Sequence, residues 1–294
     1  MLKLILIITT VAPNLSLMEE AYTGPLDYNV VARGQVSRDL AVAWDAPRMV
    51  GRDYLLLQPE SKARIYLRFV QGDSVAGYGA IKTFGWNATE ILVQDPDELA
   101  ERLRGPDSPF RIVGEPRPLS ATSNIRAMQV VGPAEEVLYL TRIPPSNARE
   151  SAQTYVDRPF IVILGGPDMQ AMRQFYQDVF HVSVSEPGPA RMTVLNKAHG
   201  FDIERTHPLA MARISPRYGV EIDGYPETAT IRAHRHAELP PAMAMVGFEI
   251  ESLEGLSLAA PASRIDELPY NGRKVGVMRG PAGELIELIE TPTQ

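Results

Sequence analysis

One eleven-residue phrase occurs twice in this chain, and it is the feature that most restricts the fold. GPAEEVLYLTR covers residues 132–142, and GPAGELIELIE covers residues 280–290. The copies start 148 residues apart (280 minus 132), which is about half of the 294-residue chain. Similarity at one fixed offset indicates a duplicated architecture, in which equivalent positions have equivalent orientations.

A shorter unit repeats four times within this duplication. Each unit starts with an apolar, β-branched run, continues with a segment of helical spacing and ends with three short strand-like runs. The clearest helical segments are PDELAERLRG and PDMQAMRQFYQDVF, whereas the fourth unit has a poorly marked middle, EGLSLAAPASRIDELP. The sequence therefore predicts an α+β fold of four βαβββ modules.

A linker is predicted near the midpoint of the chain. The segment PPSNARESAQTYVD is rich in Pro, Ser and Asn, as connecting segments are. We predict a first domain of two modules at residues 1–146, a linker at 147–157 and a second domain of two modules at 158–294.

Composition excludes several function classes. The formal net charge is −7 and no basic stripe offsets it, so a nucleic-acid partner is not expected. Cysteine is absent, which excludes disulfides, thiolate nucleophiles and Cys-ligated zinc. The sequence also contains no Gly-rich phosphate loop, G-x-S-x-G elbow or H-E-x-x-H motif.

The first residues, MLKLILIITTVAP, fit two interpretations. A short apolar run after Lys3 is compatible with a signal peptide, but one positive charge is a poor n-region. The run is also too short to span a bilayer. We interpret it as a buried first strand, because an apolar run followed by Pro and a helix recurs inside the chain, and we predict a cytoplasmic protein without a membrane partner.

First strands that run into a Pro-led helix, and last strands written like GPAGELIEL, resemble the vicinal oxygen chelate superfamily. That superfamily includes glyoxalase I, extradiol dioxygenases and bleomycin-resistance proteins, and the resemblance covers nearly the whole chain. It implies that modules pair so that their sheets curl into a cup, which holds a small molecule, often on a divalent metal. Two cups are expected here, from modules one with two and three with four, in a monomer or homodimer.

The resemblance implies metal ligands from a His or similar residue in each first strand and from a Glu in each last strand. The matching last-strand residues are Tyr66, Tyr139, Glu221 and Glu287. The matching first-strand residues are Ile7 and Ile161, neither of which can bind a metal, and, in modules without a clean anchor, Ala88 and Met245. The five histidines lie at none of these positions: His181, His199, His207, His234 and His236. We therefore expect no cofactor, with a divalent metal as the open alternative.

Three residues are predicted to be catalytic. Glu221 and Glu287 interrupt apolar strands at equivalent positions, and alternation along a strand would turn both toward the second cup. Buried carboxylates there are suited to proton transfer, unless an Arg or water satisfies them. His199 is the third candidate, in the polar stretch LNKAHGFDIERTHP, where the alternative is a solvated loop histidine.

Four further residues are candidates for substrate binding. Tyr66 and Tyr139 would face the first cup and could bind an anionic or phenolic ligand, although that cup could also be a filled, structural half. Glu90 and Glu249 interrupt first strands and are secondary candidates, because a one-residue slip in register would turn them away from a cup; a position at the rim is favoured for each. His234 and His236 alternate in AHRHAE, yet flanking prolines favour an exposed connector over a metal site.

The predicted function is that of a protein acting on a small, partly apolar organic molecule. An isomerase or lyase that uses carboxylate acid and base groups in the second cup is favoured. One alternative is a non-catalytic binding protein of the bleomycin-resistance type, which sequesters its ligand in an apolar cup. The other is a metal-dependent glyoxalase or dioxygenase with non-standard ligands.

Overall fold

The structure, a computed structural model, describes residues 1–120, 122–144 and 151–292. Module one comprises β1 (Leu2–Ala12), α1 (Leu15–Thr23), β2 (Tyr28–Gln35), α2 (Arg38–Ala43), a 3-10 turn (Pro47–Met49), β3 (Asp53–Pro59) and β4 (Tyr66–Gln71). Module two comprises β5 (Gly85–Val93), α3 (Pro96–Leu103), β6 (Arg111–Pro118), β7 (Arg126–Val131) and β8 (Val137–Arg142).

The second half of the chain follows the same order, except that module three contains an additional short strand before its second helix and the described part of module four contains no helix. Module three comprises β9 (Val156–Gly166), α4 (Met169–Phe180), β10 (Ser183–Val184), β11 (Gly188–Arg191), α5 (Thr193–His199), β12 (Thr206–Ser215) and β13 (Tyr218–Gly224). Module four comprises β14 (Ala242–Ile250), β15 (Ser263–Ile265), β16 (Arg273–Arg279) and β17 (Leu285–Glu290). Residues 251–262 are irregular, so the poorly marked middle of this module contains no helix.

The switch from first strand to helix has the same local cause in three modules. Asn14, Asp95 and Asp168 are the N-caps of α1, α3 and α4, and each side chain accepts a hydrogen bond from a backbone N–H in the first turn. These bonds satisfy amide groups that a helix start leaves without partners. The sequence contains this signal directly, which is why these helices were predictable.

The modules share two sheets, but not in the predicted pairs. Strand order in the eight-stranded sheet is β15-β16-β17-β14-β1-β4-β3-β2, and in the main path of the nine-stranded sheet it is β10-β12-β13-β9-β5-β8-β7-β6, with β11 paired to β12. Modules one and four therefore form one sheet, and modules two and three form the other. The prediction that modules pair as one with two and three with four is wrong.

The physical reason for this error lies in the first strands. β9 lies antiparallel to β5, with Ile161 beside Glu90, and β1 lies antiparallel to β14, with Ile7 beside Gly247. The chain crosses from one sheet to the other between modules one and two, and crosses back between modules three and four. The cups therefore do not coincide with residues 1–146 and 158–294. Of the linker predicted at 147–157, residues 147–150 lie outside the described residues, and β9 already begins at Val156.

The prediction that the first residues form a buried strand is confirmed. β1 lies between β14 and β4 in the middle of the eight-stranded sheet, and Ile5, Leu6 and Ile7 are fully buried. Within the described ranges, none of the helices has the length and apolar character needed to cross a bilayer.

The repeated phrase forms a tight turn between the last two strands of modules two and four. In the first copy, the Gly132 N–H donates to the Glu136 carbonyl at 2.8 Å, and the Ala134 N–H donates to Glu136 Oε2 at 2.8 Å. In the second copy the equivalent distances, to Glu284, are both 2.9 Å. A buried carboxylate therefore accepts a backbone hydrogen bond inside each turn. The phrase occurs twice because both copies form this turn.

Helices from neighbouring modules contact these buried carboxylates. The Tyr22 hydroxyl of α1 donates to Glu136 Oε1 at 3.0 Å. Tyr176 of α4 is the equivalent side chain beside Glu284, and burial followed by the charge of Glu284 raises the pKa of its phenol. Burial raises the pKa of Glu136 to about 7 and that of Glu284 to about 8. These contacts join module one to module two, and module three to module four, outside the cups.

The two concave faces are filled to different extents. In the eight-stranded sheet, α2 and the residues after it insert Leu40, Trp44 and Met49 into an apolar cluster on the concave face. In the nine-stranded sheet, α5 covers only part of the concave face, where Val194 and Leu195 belong to the apolar cluster. One cup is thus plugged by its own module, whereas the other keeps an internal space.

Candidate functional site

A cavity of about 570 Å³ occupies the concave face of the nine-stranded sheet, between modules two and three. Its walls are largely apolar and include Phe160, Ile161, Leu209 and Met211. A space of this size accommodates a small organic molecule.

The acidic side chains of the cavity lining come from β5 and β13, and the neighbouring Tyr139 comes from β8. Glu90 lies beside Tyr139 in the parallel pair of β5 and β8, and Glu221 lies beside Ile163 in the parallel pair of β13 and β9. Asp223 follows Glu221 by two residues, so alternation along the strand puts both on the cavity face. We call Glu90, Glu221 and Asp223 the floor acids.

Burial sets the protonation of the floor acids. Glu90 is only 7% exposed and accepts a hydrogen bond from Thr141 Oγ1 at 2.6 Å; burial raises its pKa to about 7, and Thr141 opposes the rise. Burial raises the pKa of Asp223 to about 8. Burial, followed by the charges of Asp223 and Glu90, raises the pKa of Glu221 well above its usual range. The charged forms are disfavoured by desolvation and by one another.

Tyr139 completes the floor as a neutral phenol. Burial, followed by the nearby charges of Asp223, Glu221 and Glu90, raises the pKa of its hydroxyl well above the usual range. This hydroxyl is therefore a hydrogen-bond donor at neutral pH. Carboxyl groups with pKa values near the working pH, beside a phenol, are suited to general acid and base roles.

Arginines line the outer part of the cavity. Arg117, Arg213 and Arg217 are exposed and belong to the lining; we call them the rim arginines. Arg117 Nη2 donates to Thr193 Oγ1 at 2.6 Å, which joins β6 to α5 across the opening. Buried Arg158 also lines the cavity, and its guanidinium lies 5.5 Å from the centre of the Tyr218 ring. The site is therefore acidic at its base and basic at its rim.

Glu287 lies in the other sheet, so its predicted pairing with Glu221 in one cup is wrong. It is fully buried and accepts hydrogen bonds from Trp44 Nε1 and the Tyr270 hydroxyl, both at 2.6 Å. Arg68 forms an ion pair with it at 3.4 Å. The equivalent strand positions do carry two glutamates, but modules three and four do not share a sheet, and α2 has closed the cup that contains Glu287.

Tyr66 and Glu249 also lie away from the cavity. Tyr66 lines a separate hollow of about 300 Å³ beside Arg64 and Arg273. Glu249 is 2% exposed and accepts a hydrogen bond from Arg64 Nη2 at 2.7 Å, and Arg273 forms a second ion pair with it. Neither residue touches the lining described above. In module one it is Arg68, two residues after Tyr66, that faces Glu287.

The predicted histidine candidates do not line the cavity. The Nε2 atom of His199 lies 3.1 Å from the Ile81 carbonyl, and its Nδ1 atom lies 2.7 Å from Thr228 Oγ1, so these contacts fix the C-terminus of α5. His234 and His236 lie in an irregular segment between β13 and β14, as the connector interpretation predicts. Sequence reasoning treated the region around His199 as a loop because α5 is short and has no side-chain cap.

The donor set of this cavity differs from the one that the resemblance implies for a divalent metal. Among residues 1–120, 122–144 and 151–292, no three His, Asp or Glu side chains are close enough together to hold an ion. In the sheets, Glu90 lies beside Tyr139, Ile163 lies beside Glu221 and Gly247 lies beside Glu287. Each of these first-strand residues lies two positions after the ligand position expected in its module. Glu90 alone of these first-strand neighbours has a donor atom.

Sequence reasoning missed Asp223 and the rim arginines. Asp223 had a recognisable signal, since it is an acidic residue two positions after Glu221 in YGVEIDGY and must share its face. The rim arginines had none, because exposed arginines occur throughout the chain and only the pairing of modules two and three brings Arg117 and Arg213 to one opening.

Comparison with known proteins identifies the fold. No family model matches the sequence, and no curated protein sequence matches it. Glyoxalase I from Zea mays is similar in structure, with a TM-score of 0.66 over 98% of this chain and 92% of that chain, at 14% identity. A proposed dioxygenase from Bacillus subtilis gives 0.64 over 99% and 86%, at 11% identity. The cppA protein from Streptococcus pneumoniae gives 0.50 over 99% and 98%, at 12% identity. The chain therefore has the fold of the vicinal oxygen chelate superfamily, as its repeats predict.

Proposed function

We propose that the chain is an enzyme that moves a proton on a small, partly apolar organic molecule bound in the cavity between modules two and three. The observation that supports this proposal best is the set of three floor acids with raised pKa values on one cavity face. Groups that change protonation near neutral pH transfer protons efficiently in both directions. The reaction class that uses such groups without a redox step is an isomerisation or an elimination.

The floor acids have different roles in this proposal. Glu90 has a pKa of about 7 and is partly ionised at neutral pH, so it is the base that removes a proton from a substrate carbon. Glu221 has a strongly raised pKa and is half-buried in the cavity, so it is the acid that protonates a second atom. Tyr139 donates a hydrogen bond to the oxygen on which negative charge develops.

These roles account for both lyase and isomerase chemistry. In a substrate with a neighbouring C=C bond, the electron pair of the broken C–H bond forms a new C=C bond, and the pair of the old C=C bond takes a different proton from Glu221 at the carbon two bonds away. This gives an isomer, and proton exchange with solvent restores Glu90 and Glu221. Protonation of a leaving group by Glu221 instead gives an elimination. In this proposal neither reaction needs a resident metal, because the proton donor and the acceptor both belong to the chain.

Solvent-isotope exchange tests the proposal. A panel of small ketones, aldehydes and 2-oxo acids is incubated with the protein in D2O containing a chelator, and mass spectrometry records deuterium in each compound. We expect catalysed exchange beside the carbonyl of at least one compound. Glu90→Gln and Glu221→Gln should each reduce the rate by about a hundredfold or more, while Glu254→Gln, at an exposed position, should not change it.

A non-catalytic binding protein is the second candidate function, favoured by the apolar walls Phe160, Leu209 and Met211. In that case compounds would bind and raise the unfolding temperature, but none would exchange or change chemically. Exchange that disappears only when the chelator is added would contradict the metal-free proposal and favour a metal enzyme with non-standard ligands.

A further inference from the structure

We propose that the ligand of this cavity is a dipolar molecule, with a primary ammonium group bound by Asp223 and a carboxylate bound by Arg213 and Arg217. The inference rests on the proposed function, because it names the substrate class of the same cavity. It predicts a ligand of the ω-amino acid type, with an apolar spacer between the two charged ends.

The charges are separated along one β-hairpin. In the pair of β12 and β13, Arg213 lies beside Gly219, Met211 beside Glu221, and Leu209 beside Asp223. With a rise of about 3.3 Å per residue, Glu221 and Asp223 lie about 7 and 13 Å along the strand from the level of Arg213. Arg217 is in the turn of the same hairpin. A ligand lying along the hairpin therefore has cationic side chains at one end and acidic ones at the other.

The acidic end has an unused acceptor. Asp223 is 4% exposed, lines the cavity, and its Oδ1 atom has no hydrogen-bond partner among the described residues. A buried acceptor without a partner costs free energy, which a bound donor recovers. An ammonium group provides three donors and a positive charge, which stabilises the ionised form of Asp223.

The basic end is available for an anion. Arg191 is paired with Glu204 at 2.7 Å, whereas Arg213 and Arg217 have no acidic partner within the described part of the chain. A guanidinium group matches a carboxylate with two parallel hydrogen bonds. Between the two ends, Met211 and Ile161 line the cavity with apolar surface. The spacer of the ligand is therefore apolar.

Three matched probes test the proposal by isothermal titration calorimetry with the full chain and a chelator present. 4-(Aminomethyl)benzoate has both charges, 4-methylbenzoate lacks the ammonium group, and benzylamine lacks the carboxylate. We expect 4-(aminomethyl)benzoate to bind roughly thirtyfold more tightly than either control, because each control leaves one charged end unpaired. Equal affinity for any control, or no binding of 4-(aminomethyl)benzoate at millimolar concentration, would overturn the proposal.

Isosteric variants assign the two ends. Asp223→Asn should lower the affinity for 4-(aminomethyl)benzoate about tenfold and leave that for 4-methylbenzoate unchanged. Arg213→Gln should also lower the affinity for 4-(aminomethyl)benzoate about tenfold, but it should leave that for benzylamine unchanged. Asp107→Asn and Arg111→Gln, at exposed positions outside the lining, are the matched controls. Unchanged affinity in Asp223→Asn, with unfolding that remains cooperative, would exclude the assignment of the ammonium end.

This result is independent of the test for catalysis. If 4-(aminomethyl)benzoate binds as described but no compound exchanges deuterium, the ligand class stands and the catalytic proposal fails. If exchange is catalysed on compounds without an ammonium group, and those compounds bind as tightly as 4-(aminomethyl)benzoate, the catalytic proposal stands and the ligand class fails.

Discussion

At the scale of single residues, Glu221 and Glu287 show how one sequence position acquires two roles. Both follow an apolar pair in the last strand of a module. Glu287 meets Arg68, Trp44 and Tyr270 and is satisfied by them, whereas Glu221 faces a cavity beside other acids. The carboxylate with partners stabilises the protein, and the carboxyl group that has no cationic partner among the described residues is available for chemistry.

The buried ion pair of Arg68 and Glu287 leads to a prediction about stability. Glu287→Gln should lower the free energy of unfolding by about 3–5 kcal/mol, because it leaves the charge of buried Arg68 without its counter-ion. Glu221→Gln should change it little or raise it at neutral pH, since Gln removes a group whose ionisation burial disfavours. Denaturation in urea measures both, with Glu254→Gln as the control. Equal losses in the two variants would contradict the distinction.

Glu90 makes a prediction about pH. Its folded pKa of about 7 exceeds the ordinary value of 4.5, so above pH 4.5 the unfolded chain releases this proton while the folded chain retains it. Its contribution to the free energy of unfolding therefore falls as pH rises from about 4.5 to 7, by up to about 3 kcal/mol in total.

The difference in unfolding free energy between the wild type and Glu90→Gln isolates this contribution, because the other acids are present in both proteins. The difference should shift in favour of the variant between pH 4.5 and 7.5. Urea denaturation at intermediate pH values would measure it, and a difference that does not change with pH would show that Glu90 is ionised in the folded state.

At the scale of elements, the turns and the inserted helices decide more than the strands do. The four modules have nearly the same strands, but α2 fills one concave face, whereas α5 covers the other only in part. Both helices are insertions into the repeating unit, each in the connection that leads into the next-to-last strand of its module. The difference between a closed cup and an open one therefore comes from two short segments.

The repeated turn makes a prediction at this scale. A Cβ atom at Gly132 would lie 2.0 Å from Glu136 Oε1, and one at Gly280 would lie 2.0 Å from Glu284 Oε1. Because these carboxylates are held by backbone N–H groups, Gly132→Ala and Gly280→Ala should each lower the free energy of unfolding by about 1–3 kcal/mol. Chemical denaturation measures the change.

Gly105→Ala is the matched control, because nothing lies within 4 Å of the added Cβ. In a double-mutant cycle the cost of Gly132→Ala should largely disappear when Glu136 is already Ala, since the clash is with that side chain. A cost that is the same in both backgrounds would show that the backbone, and not the carboxylate, requires glycine.

At the scale of the whole molecule, the pairing of modules makes the halves interdependent. Each half of the chain supplies one module to each sheet, and the antiparallel pairs of β1 with β14 and β5 with β9 join the halves. All four modules are thus needed for two complete sheets in one chain. The number of chains in the native assembly stays a prediction, monomer or homodimer.

Fragments test this pairing. Residues 1–146 and 147–294, separately expressed, should not unfold cooperatively, because each exposes two unpaired first strands, but they should fold when mixed. A fragment of similar length, residues 76–232, contains the whole nine-stranded sheet and should retain more strand signal in circular dichroism. Cooperative unfolding of residues 1–146 alone would contradict the observed pairing.

Neighbouring residues alone specify the local features of this chain. Strand alternation, the N-caps Asn14, Asp95 and Asp168, and the GPA turns are local, so the four-module order and the α+β fold were predictable from them. Tyr139 and Glu221 were placed on a concave face for the same reason, because alternation fixes which face a strand residue occupies. Glu90 was expected at a rim, but the pairing of β5 with β9 and β8 buries it at the base of the cavity.

Contacts between distant parts of the chain set which modules pair, which cup stays open and which glutamate keeps a free face. The four first strands present similar apolar surfaces, so no local pattern distinguishes β5 from β14 as the partner of β9. That choice depends on contacts between residues far apart in the chain, whose free energies are summed over whole faces. Residues such as Glu287 therefore acquire their roles from neighbours that the sequence does not place beside them.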